Sequence, residues 1–267
     1  MTTTDSLVNA NGTALFAQIR GTGPALVLVP GAGGDAGQFD QLAGVLARQW
    51  TVVTYDRRAN SRSVRPDGWT STTIEEQADD VAALLDVVGL GPAVVVGTSL
   101  GALIALSAAI RHPHLVGQLV VHEPALTSVL ADPEGMLGAV QPVINQGMAT
   151  GGLAGGADAF FQFADARGYG AVPEEVRVRM CANAQVLFES EFGAFSSWTP
   201  DSDQVAALAM PVSVLVADGA SAPAFREAAE WLARRTSTEV HAVPGGHLGF
   251  IDGPDAFGAA LNDCIAR

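Results

Sequence analysis

Short apolar runs alternate with amphipathic stretches along most of the chain. Leu7-Val8 and Ala14 to Ile19 flank Asn11-Gly12, a dipeptide whose left-handed torsions suit a tight hairpin turn. Ala25 to Val29 is a continuous apolar run of the kind buried in a parallel sheet; it stops at Pro30, before Gly31, Ala32, Gly33 and Gly34. Phe39, Leu42, Val45 and Leu46 recur at helical spacing, and Thr51 to Tyr55 is β-rich again. Ile74 to Val88 has helical periodicity, with Thr72 or Thr73 as N-cap and Glu75-Glu76 at the positive end of the dipole. Ala93 to Val96 predicts a strand, Leu100 to His112 a buried helix ended by Pro113, and Val116 to Val121 another strand.

Between Pro124 and about Ala209 this rhythm breaks into helical fragments, with Gly151-Gly152 and Gly155-Gly156 reading as a flexible loop. Alternation then resumes: a strand at Val212 to Val216, a helix at Ala224 to Arg235, a strand at Thr238 to Val243, and a last helix ending near Ala266. Strands alternating with helices give a mostly parallel sheet with helices on both faces. The expected organisation is an α/β core from residues 1–123 and 210–267, with 124–209 inserted as a helical cap. Only Met1 to Asp5 lacks an apolar pattern, so disorder is expected there alone.

Composition narrows the classes of partner. Hydrophobic residues make up 48% of the 267 and charged ones 16%, enough apolar material for a large core. All 14 basic residues are arginine, and against 28 acidic ones they leave a formal charge of −14. Such a surface repels nucleic-acid phosphates and anionic membranes, so neither is an expected partner. Cys181 and Cys264 stand far apart with no metal-ligand spacing. No basic start followed by an apolar stretch marks a signal peptide, and the longest apolar run, Leu100 to Ile110, is too short to span a bilayer. A cytoplasmic protein without metal or organic cofactor is expected; a homodimer is left open.

Candidate chemistry sits at the turns. Gly97-Thr98-Ser99-Leu100-Gly101 matches G-x-S-x-G between a predicted strand and a predicted helix. A nucleophilic serine there stands on a sharp turn, and glycines two residues either side let neighbouring backbone approach. The helix that follows aims its N–H groups at a developing oxyanion. With this motif the chain resembles the α/β-hydrolase superfamily along nearly its whole length, which implies the order nucleophile, acid, histidine.

The resemblance implies Leu100 and Ala32 as the two backbone donors of an oxyanion hole, although Pro30 stands where the family usually shows His. A phosphate-binding reading of the Gly31 to Gly34 loop fails, because no GK[ST] follows it. Of five histidines, His112 and His114 flank a helix end, His122 ends a strand and His241 lies within one. His247, in Gly245-Gly246-His247-Leu248-Gly249-Phe250, is similar to the family's histidine loop and is the expected base. Many relatives place the acid after the strand at Val212 to Val216, but that register falls on Ala220, with Asp218 two residues early. Others, haloalkane dehalogenases among them, place a Glu after the preceding strand. Val120-Val121-His122-Glu123-Pro124 is similar to this, so Glu123 is favoured over Asp218.

Eight aromatic residues fall within about 40 positions: Phe160, Phe161, Phe163, Tyr169, Phe188, Phe192, Phe195 and Trp198. Phe160, Phe161, Phe188, Phe192 and Trp198 are the expected lining of an apolar substrate pocket, while some of the eight must simply glue the cap to the main domain. Arg57, Arg58, Arg62 and Arg65 could hold an anion, but such a loop is usually structural in the family, and Ala59-Asn60 replaces the glycine often found after it. The leading expectation is a serine hydrolase that cleaves an ester, lactone or related carbonyl bond of a small apolar substrate through an acyl-enzyme. A biosynthetic lyase, C–C hydrolase or acyl transferase on a hydrophobic natural product is the alternative, and a non-catalytic ligand-binding protein the third.

Overall fold

The computed structural model describes residues 3–219 and 221–265, so the acid register on Ala220 and the expected helix end at Ala266 lie outside the described residues. The hairpin forms as the Asn-Gly pair dictates. Strands β1 (Thr3–Ala10) and β2 (Thr13–Arg20) pair antiparallel with Ala10 facing Thr13. Asn11 and Gly12 take φ of 46° and 75°, the left-handed pair that a two-residue hairpin loop needs. Thr3 to Asp5 belong to β1, correcting the expectation of disorder there. Pairing supplied the order that side-chain pattern could not show.

The core then alternates: β3 (Ala25–Val29), a 3₁₀ turn at Ala36–Phe39, α1 (Asp40–Leu46), β4 (Thr51–Tyr55), α2 (Ile74–Val88), β5 (Ala93–Thr98), α3 (Leu100–Arg111) and β6 (Val116–His122). Thr73 is the N-cap of α2, its hydroxyl accepting from Glu76 N–H at 3.0 Å, and Gly89 closes the helix at φ 68°. The sheet has eight strands in the order β1-β2-β4-β3-β5-β6-β7-β8, where β7 is Val212–Ala217 and β8 is Val240–Val243. Only the β1–β2 and β2–β4 pairs are antiparallel. Helices cover it in two groups, α2 against α3 and α1 against the last helix, Pro254–Ile265.

From β3 the chain crosses to β4 on one side; from β5 it crosses to β6 on the other. The carboxyl ends of β3 and β5 therefore border a topological switch point, where loops diverge and leave a crevice.

Between β6 and β7 the described elements are all helical: a 3₁₀ turn at Thr127–Val129, α4 (Pro133–Gly170), α5 (Glu174–Ala182), a π-helical turn at Val186–Glu191, α6 (Phe192–Ser197) and α7 (Ser202–Ala206). Three residues of α4 leave helical torsions, Gly151, Gly152 and Asp165, so it is a run of helices joined by kinks. Gly155-Gly156 is not the flexible loop the glycines suggested. Those residues are helical, and a Cβ on Gly147 would overlap the Gly155 carbonyl oxygen. Two helical segments meet backbone to backbone there, a contact that only glycine permits. After β7 come α8 (Pro223–Thr236), β8, α9 (Gly249–Asp252) and α10 (Pro254–Ile265). No helix among the described residues is long and apolar enough to cross a membrane.

Candidate active site

Ser99 stands between β5 and α3 with φ 55° and ψ −122°. A non-glycine residue at positive φ stores strain, and a strand-to-helix elbow imposes it. The flanking glycines are sterically required. A Cβ on Gly97 would lie 2.7 Å from the Ala105 Cβ and overlap the Gly101 carbonyl, while one on Gly101 would overlap the Val29 carbonyl. The serine backbone is tied into the sheet by its N–H, which donates to His122 O at 3.0 Å. Leu100, as the first residue of α3, has no partner for its N–H within the helix.

The loop after β3 packs directly on this elbow. A Cβ on Gly31 would sit 3.0 Å from the Ser99 Cβ and from the Thr98 carbonyl oxygen, tighter than most side-chain contacts, so glycine eases this close approach. Gly31, Ala32, Ser99, Leu100 and His247 all line one cavity of about 420 Å³. The residues expected to supply the oxyanion donors, the nucleophile and the base thus border the same space.

The imidazole of His247 is buried, and its Nδ1 lies 2.6 Å from Glu123 Oε2. An ionised carboxylate only accepts, so Nδ1 carries the hydrogen and Nε2 is left as the acceptor. Glu123 follows directly on β6 with φ 44°, fully buried, its other oxygen accepting from Ala217 N–H of β7 at 2.9 Å. Burial alone would raise its pKa. The hydrogen bond from His247 and the field of that ring outweigh burial and bring it down to about 2. Phe225, at the start of α8, stacks on the His247 ring at 4.2 Å and 5°. One face of the base is thereby fixed by packing and one edge by a charge-assisted hydrogen bond.

Asp218 does not reach the base. It is exposed, and its carboxylate accepts from Gly245 N–H at 3.1 Å, which ties the end of β7 to the histidine loop. Of the two carboxylates weighed from sequence, only Glu123 touches His247.

A second histidine lies behind the first. His122 is buried, its Nδ1 3.0 Å from Thr98 Oγ1, its Nε2 without a partner among the described residues, and its ring stacked 6.3 Å from His247. Burial pushes its pKa down to about 4, against the opposing pull of the Glu123 charge. The ring is therefore neutral at pH 7 and packs, uncharged, behind His247.

Aromatic residues divide. Phe160, Phe161 and Phe192 line the cavity as expected; Phe188 and Trp198 do not. Phe188 packs on Phe192 at 6.3 Å, and the Trp198 indole donates to Glu75 Oε1 at 2.7 Å, fastening the inserted helices to α2. Phe163, Phe195, Phe225 and Phe250 complete the aromatic wall. Phe250 was legible within the histidine loop. Phe225 carried no signal in one dimension, because its value depends on α8 starting beside the base.

Three of the loop's four arginines are taken up by internal ion pairs. Arg57 pairs with Glu191, Arg58 with Asp80 and Glu76, and Arg62 with Asp56, while Arg65 lies over the Trp69 ring at 5.4 Å. Ala59 adopts φ 60° despite its Cβ. No cluster of metal-ligating side chains occurs among the described residues.

Comparison with known proteins agrees with this architecture. A family model described as alpha/beta hydrolase fold matches residues 24–154, which include the elbow and the β3 loop. The chain is 42% identical over 130 residues to an uncharacterized hydrolase, YraK, of Bacillus subtilis (strain 168), covering 49% of this chain and 48% of that one. This match spans about half the length of that curated relative. It is 25% identical over 268 residues to a zearalenone hydrolase of Bionectria ochroleuca, covering 96% of each. Among solved structures, the enol-lactonase from Burkholderia xenovorans LB400 superposes with a TM-score of 0.78 at 21% identity, over 99% of this chain and 100% of that one. Sheet order, the strained elbow and the family model over residues 24–154 agree on an alpha/beta-hydrolase fold.

Proposed function

We propose that this protein is a serine hydrolase that cleaves an ester, lactone or related carbonyl bond of a small, uncharged, apolar substrate. The observation that carries the reading is the 2.6 Å contact of His247 with buried Glu123, in one cavity with a serine on a strained elbow. A relative named as a hydrolase that aligns over nearly the whole chain supports bond hydrolysis.

In this mechanism Nε2 of His247 takes the Ser99 proton as Oγ attacks the carbonyl carbon. The tetrahedral oxyanion accepts from Ala32 and Leu100 N–H. Collapse expels the alcohol, which receives the proton from His247 and leaves an acyl-enzyme. Water, deprotonated by the same histidine, then attacks; the second collapse releases the acid and restores Ser99. Glu123 keeps the imidazole in the working tautomer and stabilises its cation.

The inserted segment acts as a cap, with Phe160, Phe161 and Phe192 over the acyl or alcohol group. The described lining includes no arginine, and its acidic members are Asp132 and Glu227. Nothing there would neutralise a substrate carboxylate, which favours a neutral substrate.

The test is hydrolysis of p-nitrophenyl esters, from acetate to long acyl chains. Ser99→Ala should abolish turnover. Glu123→Gln should lower kcat/KM by roughly 10²- to 10⁴-fold, while Asp218→Asn stays within a few-fold of wild type. Equal rates for wild type and Ser99→Ala would overturn the proposal.

A further inference from the structure

We infer that Arg57 is a positioning residue for the oxyanion site, and that Glu191 of the inserted helices holds it in place. This rests on Ala32 N–H being an oxyanion donor.

The peptide between Gly31 and Ala32 is the unit to be oriented. In a planar trans peptide the C=O and the following N–H point in opposite directions. Whatever fixes the Gly31 carbonyl therefore also aims the Ala32 N–H. Arg57 Nη2 donates to that carbonyl at 3.1 Å from the buried side of the loop. Gly34 N–H donates to the same oxygen at 3.2 Å. With the carbonyl drawn inward, the Ala32 N–H turns toward the cavity that both residues line.

Arg57 cannot hold this position by itself. Its guanidinium is buried and forms a two-pronged pair with Glu191, Nη1 to Oε1 at 2.5 Å and Nη2 to Oε2 at 2.9 Å. Such a fork fixes the guanidinium plane as well as its place. Gln77 of α2 accepts from Nη1 at 2.7 Å, and Asn60 donates to Glu191 Oε1 at 3.1 Å. Glu191 ends the π-helical turn, so the group that orients Arg57 comes from the inserted segment.

The next peptides of the loop are held in the same way. Gln38 Nε2 donates to Ala32 O at 3.2 Å, and Asn183 Nδ2 to Gly33 O at 2.7 Å. Asn183, too, lies in the inserted segment, and Arg179 from α5 pairs with Asp35 at 2.6 Å just beyond. Two of these three carbonyls thus depend on residues of the helical insertion, one directly and one through Arg57. Seating of the insertion and aim of the oxyanion donor are one arrangement.

The experiment uses the double variant Arg57→Leu/Glu191→Leu, which leaves neither charge buried alone, and Asn183→Ala. Each is assayed on p-nitrophenyl butyrate, and for inhibition by a trifluoromethyl ketone and by butyramide. The ketone forms an oxyanion on the serine; the amide binds without one. For the double variant, kcat should fall roughly 10- to 100-fold and ketone affinity by a similar factor, with KM and amide affinity changed less than about 3-fold. Asn183→Ala should show the same pattern with a smaller loss, and decides alone if the double variant does not fold. A folded variant with kcat within about 2-fold of wild type, or with ketone and amide weakened alike, overturns the positioning role. Should Ser99→Ala match wild-type turnover, the serine mechanism itself fails and this inference with it. An inactive Ser99→Ala beside a fully active double variant removes the positioning role alone.

Discussion

At the scale of single residues, two buried neighbours show how environment divides roles. Glu123 is held ionised far below neutral pH, at about 2, while His122 beside it is held neutral down to about 4. Both folded-state values lie below the unfolded ones. Each therefore contributes stability that is complete above its unfolded value and lost as pH falls through the folded one. For His122 the window runs from 6.5 down to about 4, a loss on the order of 3 kcal/mol. For Glu123 it runs from 4.5 down to about 2. Melting temperature should accordingly drop between pH 6.5 and 4, and His122→Gln should flatten that drop. An unchanged slope in the variant would assign the acid sensitivity to other groups. The same residues mark what sequence could and could not say. Ser99 and His247 stood out by glycine spacing. Glu123 against Asp218 was decided by a three-dimensional fact, the path of β6 beside β7, which brings the carboxylate within 2.6 Å of the imidazole.

At the scale of elements, glycines decide where backbones can meet. Gly101→Ala would drive a methyl group into the Val29 carbonyl at the foot of the elbow, and Gly147→Ala would drive one into the Gly155 carbonyl between segments of α4. Both should lower the melting temperature, Gly101→Ala by enough to abolish soluble protein, as overpacking against immobile backbone costs about 1–3 kcal/mol or more. Gly151→Ala should be nearly neutral by comparison, because nothing lies within 4 Å of a Cβ there and its φ is negative. Thermal melts of the three would rank them. Strands and core helices were legible because apolar runs and caps repeat at the right periods; β3, β4 and α2 fall on the expected residues. The insertion was legible only as helical fragments. Its glycines serve both kinks and close packing, and the two uses look alike until the partner backbone is known.

At the scale of the whole molecule, charge and cavity act together. The net charge of −14 and a lining without arginine among its described residues both disfavour an anionic substrate. The p-nitrophenyl hemisuccinate should be turned over at least about tenfold more slowly than the butyrate, with added salt relieving only the part due to long-range repulsion. Equal kcat/KM for the two esters would contradict a neutral-substrate site. The composition made the surface field legible from sequence. It could not reveal that Arg57, Arg58 and Arg62 are consumed internally by Glu191, Asp80 and Asp56, since those pairings join residues up to 134 positions apart.

The most direct test of the account is covalent. The protein should be treated with a fluorophosphonate, its intact mass measured, and the labelled peptide mapped. One phosphonyl group is expected, on Ser99, with labelling lost in Ser99→Ala and slowed in Glu123→Gln. Label on another residue, or none on Ser99 in folded protein, would contradict the nucleophile on which the proposed mechanism is built.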